Sequence, residues 1–458
     1  MELNVVILAA GLGTRMKSDI PKILHPLCGI PMIQYVIEAA RSLRPRELIT
    51  VINNDHEDVK NFLKGKTSIA IQKKPLGTAD ALKAALGAIK KELPVLVMNG
   101  DTPLIRARSL KELIHLHRKD RNSISLLSFI AKEPSSYGRL IRDAGGNVIA
   151  IREFIDASSE EKEIKEVNSG IYLIEPEALT LLRHIKKNPN KGEFFLTDIV
   201  SIGAKRGLKI RAYPLAEEEE LIGINTRKEL SCAESIMRQR INEALMLEGI
   251  TMINPDNTYI EKDVKIGRDT VIYPGVCIEG RSTIGGGCII YHNVRILNSV
   301  VGDRVIIKDS SVIEDSIIKE GAVIGPFAHL RPGTEIERNV KIGNFVEVKK
   351  SIIGEGTKAM HLSYIGDAEI GRNVNIGAGT ITCNYDGFKK HKTIIEDNVF
   401  IGSDTQLVAP VKVSSGAYIG AGSTITKDVP PDCLALSRTP QRHIEGWAEK
   451  HRKRAKKD

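Results

Sequence analysis

Apolar positions along the chain follow two different periods. Up to about residue 227, short runs rich in Val, Ile and Leu alternate with amphipathic stretches. The runs 5–9, 48–53, 69–72 and 95–99 have strand length and strand composition. Helical spacing marks 32–43, 55–63 and 78–91 between them. Continuously apolar strands alternating with helices predict a doubly wound, mostly parallel sheet of Rossmann-like α/β class, with ligands at the carboxyl ends of the strands. Residues 228–248 form one helical pattern with no Pro or Gly inside, and Gly249 can end it.

Beyond about residue 250 the period becomes six. Ile260, Ile266, Ile272, Ile278, Ile284, Ile290 and Ile296 form one phased series. Ile318, Ile324, Leu330, Ile336, Ile342 and Val348 form a second, and Ile395, Ile401, Leu407, Val413, Ile419 and Ile425 a third. Six is neither a helical period nor strand alternation. It fits a parallel β-helix whose triangular coils each use three hexapeptides, with the aliphatic residue pointing inward. The run resembles the hexapeptide-repeat, left-handed β-helix family. Two breaks interrupt it: 299–317, where the phase slips, and 382–393, an inserted loop. The expected organisation is therefore a nucleotide-binding domain at 1–227, a helical linker at 228–249 and a β-helix at 250–458.

A length of 458 residues agrees with more than one domain. No apolar stretch reaches about 18 residues, so no membrane insertion is expected. The first residues lack a basic region and cleavage site and read as a strand, not a signal peptide. Six cysteines occur singly, without a CxxC pair, which fits a reducing cytoplasm better than a disulfide framework. Net charge is +9, and 450–458 supplies +5 of it through six Lys or Arg and one Asp. That tail reads as a frayed, solvated terminus. Aromatics make up 4% and do not interleave with basic residues, which disfavours nucleic-acid binding.

The candidate chemistry begins at 8–22, LAAGLGTRMKSDIPK. A glycine loop after a strand lets backbone N–H groups approach phosphate. Met16 occupies the third glycine position of a dinucleotide fingerprint, and no Lys-Ser/Thr pair follows the second glycine as in a P-loop. Gly11, Gly13, Arg15 and Lys22 instead suit a triphosphate. Their spacing resembles the signature of sugar-1-phosphate nucleotidyltransferases. That resemblance implies a nucleotide site from Leu8, Ala9, Ala10, Gly11, Arg15 and Lys22, with Gln72, Gly77 and Thr78 as the uracil segment. It implies Asn99, Gly100 and Asp101 at a strand end, with Asp101 and Asn225 as magnesium ligands. It also implies sugar contacts at Tyr137, Gly138, Arg139, Glu153, Asn168, Ser169 and Gly170. Arg15 and Lys22 would then stabilise charge on the phosphates as a sugar 1-phosphate attacks UTP. Asn99 stands where relatives often carry an aromatic residue, which leaves the local shape open.

A lone histidine is more often structural than catalytic, yet His361 and Tyr364 sit where two repeats meet, ahead of the inserted loop. Residues 328–413 resemble the acetyltransferase half of a bifunctional family that makes UDP-N-acetylglucosamine. The resemblance implies His361 as general base toward glucosamine 1-phosphate. Arg331, Lys349, Tyr364, Asn375 and Lys390 would hold that substrate. Ala378, Asn384, Tyr385, Ser403, Ala421 and Arg438 would hold acetyl-CoA. Met360 and Ser363 depart from the usual neighbours of the base. A homotrimer follows from the same resemblance. The product, N-acetylglucosamine 1-phosphate, would react with UTP in the front domain. Two alternatives are weighed: a single-activity nucleotidyltransferase with a regulatory β-helix, and a non-enzymatic trimeric scaffold.

Overall fold

The structure is a computed structural model that describes residues 2–54, 57–132, 134 and 137–456. Position 55, the expected start of the second helix, and residues 457–458 of the tail lie outside them. Chain contacts divide into two compact units, Met1–Met237 and Arg238–Asp458.

The first unit is built on a sheet in the order Ile210–Pro214, Ile124–Ile130, Glu166–Ile174, Val95–Asn99, Asn4–Leu8, Glu47–Asn53, Ser68–Gln72. All neighbours are parallel except Glu166–Ile174, which runs against both of its own. Val5, Val6 and Ile7 are wholly buried, because helices cover both faces of the sheet. The three C-terminal strands and the hairpin Arg139–Arg142/Val148–Arg152 escape the run-based reading. Their apolar residues are interrupted by Ser125, Ser128 and Ser169, buried hydroxyl residues whose burial is a tertiary fact.

The helix expected over 78–91 stops at Ala85. Gly87 weakens its continuation, and the buried Asn4 side chain captures the next segment through Lys90 O at 2.8 Å and Lys90 N at 3.1 Å. The connector helix spans Arg227–Leu247, and Gly249 follows with φ 100°. The tail forms a helix, Trp447–Arg454, rather than fraying; a Glu449–Lys453 pair and a Trp447–His451 stack support it four residues apart.

The second unit is a left-handed parallel β-helix with three ladders of eleven, ten and nine short strands. Inward aliphatics align from coil to coil: Ile272 pairs with Ile290, Ile290 with Ile307, Ile307 with Ile324. The slip at 299–317 does not break the stack. One corner is a residue shorter there, with Asn298 and Asp315 in the left-handed region at φ 47° and 41°. Lys350 and Asp367 repeat the device at φ 44° and 50°. The hexad count reads a shortened corner as a lost phase, whereas the ladder only requires each strand to meet its neighbour. The 382–393 insertion leaves the stack intact, since Ile370 still pairs with Ile395.

Candidate active sites

In the first unit, the carboxyl ends of Asn4–Leu8, Ser68–Gln72 and Val95–Asn99 open into a cleft of 860 Å³. Leu8, Ala10, Gly11, Arg15, Lys22, Gln72, Gly77, Thr78, Asn99, Asp101 and Asn225 line it. A deeper recess shares Leu8, Thr78, Asn99, Asp101 and Asn225 and adds Tyr137, Gly138, Glu153, Asn168, Ser169 and Gly170. Ala9 and Gly100 support the cleft from outside its wall: Gly100 N donates to Leu8 O, and a Cβ on Gly100 would meet Ala9 Cβ at 3.1 Å.

The cations converge on two oxygens. Lys22 Nζ contacts Asp101 Oδ2 and lies 2.8 Å from Asn225 Oδ1, and Arg15 Nη2 donates to the same Asn225 oxygen at 2.8 Å. Asp101 and Asn225 thus already share one cation, the Lys22 ammonium. Their donor set, a carboxylate and an amide oxygen, is hard and fits magnesium. Asn225 is held firmly. Its N–H and that of Thr226 both donate to Glu229 Oε2 at 2.7 Å, and Glu229 N donates to Thr226 Oγ1, a capping box at the start of the connector helix. Sequence inspection missed Glu229, although its place three residues after Thr226 is the signal for such a box.

Gln72 Nε2 donates to Gly77 O at 3.0 Å and to Asp80 Oδ2 at 2.9 Å. These bonds leave the Gln72 amide oxygen for a ligand; Asp80 was not anticipated. Glu153 accepts from Thr197 Oγ1 at 2.9 Å, and burial pushes its carboxyl above the ordinary 4.5. Lys191, Glu193 and Thr197, also unforeseen, come from a loop with no motif of its own. Asn99 fits because Gly170 faces it: a Cβ there would lie 2.2 Å from Asn99 Nδ2. Arg139 is buried, with its guanidinium bonded to the carbonyls of Pro134, Tyr137 and Lys162, so it braces the recess instead of lining it.

In the second unit, one corner of the β-helix carries a column of functional candidates. Ile342, Ala359, Ile376, Ile401 and Ile419 are in register, so Asn344, His361, Ala378, Ser403 and Ala421 follow one above another, each two residues on. Arg438 Nη1 donates to Ala421 O at 2.8 Å at the end of this column. His361 is exposed, and its Nδ1 meets Asn344 Oδ1 at 2.8 Å. Ser363 makes the bond its position needs, Oγ to His361 O at 2.8 Å, and Met360 lies with its carbonyl against Gly343.

A cationic cluster occupies the next face. Arg331 pairs with Glu347 at 2.8 Å; Lys349 and Lys390 adjoin. The Lys390 ammonium, with Arg331 behind it, holds Lys349 below its usual value, a like-charge strain that an anion would relieve. Asn384 sits with this cluster, donating to Asp367 Oδ2 at 2.5 Å and to Tyr364 OH at 3.5 Å. Asn375 faces outward on the preceding ladder, and Tyr385 turns into its own loop, its hydroxyl on Gly387 O at 2.6 Å. Cys383 directly precedes Asn384, but burial pushes its thiol up, away from thiolate reactivity. Beside the His361 corner, Phe327, Phe345 and Leu362 form an exposed apolar stripe. All three have positive φ, and the two rings stack at 5.3 Å.

Comparison with known proteins places the chain among similar sequences. The MobA-like NTP transferase domain matches 5–146, the GMPPB C-terminal domain 254–334, and the bacterial transferase hexapeptide (six repeats) 392–427. A protein of Thermodesulfovibrio yellowstonii, "Bifunctional protein GlmU", is 56% identical over 98% of this chain and 100% of its own length. Proteins of the same description from Thermoanaerobacter pseudethanolicus and Caldanaerobacter subterraneus subsp. tengcongensis are 50% and 49% identical, each over 99% of both chains.

Proposed function

The chain belongs to the bifunctional GlmU family, and from that premise we propose how its residues divide two reactions. It is an enzyme with a nucleotidyltransferase half and an acetyltransferase half, acting on a sugar phosphate, UTP and acetyl-CoA. We assign uridylyl transfer to 1–227 and acetyl transfer to 250–458, with 228–249 as connector.

The observation that carries the front reaction is the convergence of Lys22 and Arg15 on Asp101 and Asn225. A phosphate oxygen of N-acetylglucosamine 1-phosphate attacks the α-phosphorus of UTP; the new P–O bond forms as the bond to pyrophosphate breaks. Arg15 and Lys22 neutralise charge on the phosphates, and Gln72, oriented by Asp80, reads the base. Glu153 and Asn168 hold the sugar. Asp101 and Asn225 would hold Mg²⁺, which when bound supplies charge neutralisation between the phosphates.

At the rear, Arg331, Lys349 and Lys390 bind the phosphate of glucosamine 1-phosphate, and His361 accepts a proton from its ammonium. The amine then attacks the thioester carbonyl, the C–N bond forms, the C–S bond breaks, and coenzyme A leaves as the thiol after taking up a proton. Ala378, Ser403, Ala421 and Arg438 line the coenzyme's path along the corner. The cationic cluster and the His361 corner lie on different faces, and the apolar stripe borders that corner. Both observations support a homotrimer in which a second copy completes the site. A cytoplasmic location fits the substrates; among the described residues, no helix is long and apolar enough to cross a membrane.

The test is a double dissociation in the full-length protein. His361→Ala should lose acetyl transfer yet convert supplied N-acetylglucosamine 1-phosphate normally, and Asp101→Ala should do the reverse. Loss of both activities in either variant sinks the division of labour.

A further inference from the structure

We propose that Asn344 is the positioning residue that fixes the tautomer and the direction of the His361 ring. The inference rests on His361 being the base of acetyl transfer. Asn344 and His361 are direct partners across adjacent parallel strands, Lys341–Asn344 and Lys358–His361, one coil apart. Asn344 Oδ1 lies 2.8 Å from His361 Nδ1. An amide oxygen only accepts, so the nitrogen facing it carries the proton. Nε2 then keeps its lone pair, which is what a base toward an ammonium requires.

The backbone holds this pair in place on every side. Leu362 N donates to Asn344 O at 3.0 Å, so the residue after the base hangs from the positioning residue. Gly379 N donates to Leu362 O at 3.1 Å, which ties the same turn to the following coil. A Cβ on Gly343 would lie 1.8 Å from Met360 O, so glycine lets the two corners nest at this spacing. The bond is thus set by coil stacking rather than by a free side-chain encounter.

The choice of an amide has a consequence. Three coils earlier the same corner pairs His292 Nδ1 with Asp309 Oδ1 at 3.1 Å, a carboxylate partner. At 344 the partner is a neutral amide, which directs the ring by accepting from it. On the flanking strands the titratable side chains are Lys341 and Lys358, each three residues back from the corner; Asn375–Ile376 contributes none, and Tyr364 begins the next face.

Three full-length variants test this: Asn344→Ala, Asn344→Asp and His361→Ala, each assayed for acetyl transfer from about pH 5.5 to 9.5, with uridylyl transfer as the control for folding. Asn344→Ala should lower kcat for acetyl transfer about 10- to 100-fold, with KM for glucosamine 1-phosphate within about threefold and uridylyl transfer unchanged. Asn344→Asp keeps an acceptor at the same place. It should recover most of the rate at high pH while the acid limb of kcat/KM moves up by about one unit or more. An Asn344→Ala enzyme within twofold of the parent, or an Asn344→Asp profile that coincides with the parent's, overturns the inference. Acetyl transfer that survives His361→Ala overturns the base assignment instead; loss in His361→Ala with both Asn344 variants unaffected overturns only the role of Asn344.

Discussion

Gly77→Ala isolates how the nucleotide cleft is held open at its rim. Gly77 has φ 102° and ψ 176°, a region closed to residues with a Cβ, and forcing one there costs about 1–3 kcal/mol. The added Cβ would also lie 2.6 Å from Phe194 O and 2.8 Å from Phe194 N. Ordinary contact begins at 3.4 Å, so the two segments must part by about 0.8 Å. Three bonds join them: Phe194 N to Leu76 O at 2.7 Å, Ala79 N to Phe194 O at 2.9 Å, and Leu196 N to Thr78 Oγ1 at 2.9 Å. Loss of one such bond costs about 1 kcal/mol. The binding-competent arrangement is therefore disfavoured by about 2–4 kcal/mol, or roughly 30- to 900-fold in affinity. Because Gly77 O also accepts from Gln72, the nucleotide should feel the change first. Steady-state uridylyl transfer should show KM for UTP raised by about that factor, and acetyl transfer in the same preparation should stay at the parent's level. A KM for UTP within threefold of the parent would refute the steric reasoning.

Other expectations follow from the same geometry. Burial raises the Glu153 carboxyl, so the folded chain retains a proton that the unfolded chain has released; the cost is absent below pH 4.5 and grows as pH rises through the raised value. Glu153→Gln should therefore raise Tm at pH 7.5 but not at pH 4 while weakening use of N-acetylglucosamine 1-phosphate, and equal shifts at both pH values would contradict this. Phe345→Asp places a charge in the stripe of Phe327, Phe345 and Leu362. Sedimentation should then show loss of the proposed homotrimer, with acetyl transfer down at least about tenfold and uridylyl transfer kept; an unchanged sedimentation profile with full activity would rule out the stripe as the contact between copies.

Much of this protein could be read from residue order because the relevant physics is local. A hexad of aliphatics has one regular way to bury itself, so the β-helix follows from Ile272, Ile290 and their like. The glycine loop with Arg15 and Lys22 announces phosphate chemistry, since backbone access and cation spacing lie within fifteen residues. The resemblance then supplied Asp101, Asn225 and His361. What the sequence could not supply are partners brought together from afar. Asn225 lies 203 residues from the Lys22 that contacts it. Glu153 meets Thr197, and Asn99 fits because Gly170 has no side chain. The shortened corners at Asn298 and Asp315 also escape a count of sixes, because left-handed turns are chosen by stacking and not by the hexad itself. Even Asn344, seventeen residues from His361, becomes its partner only through the length of a coil. Residue order determined which units form and which chemistry they carry. Tertiary structure decided which side chain faces which, since a polar contact depends on distance in space and the chain records only distance along itself.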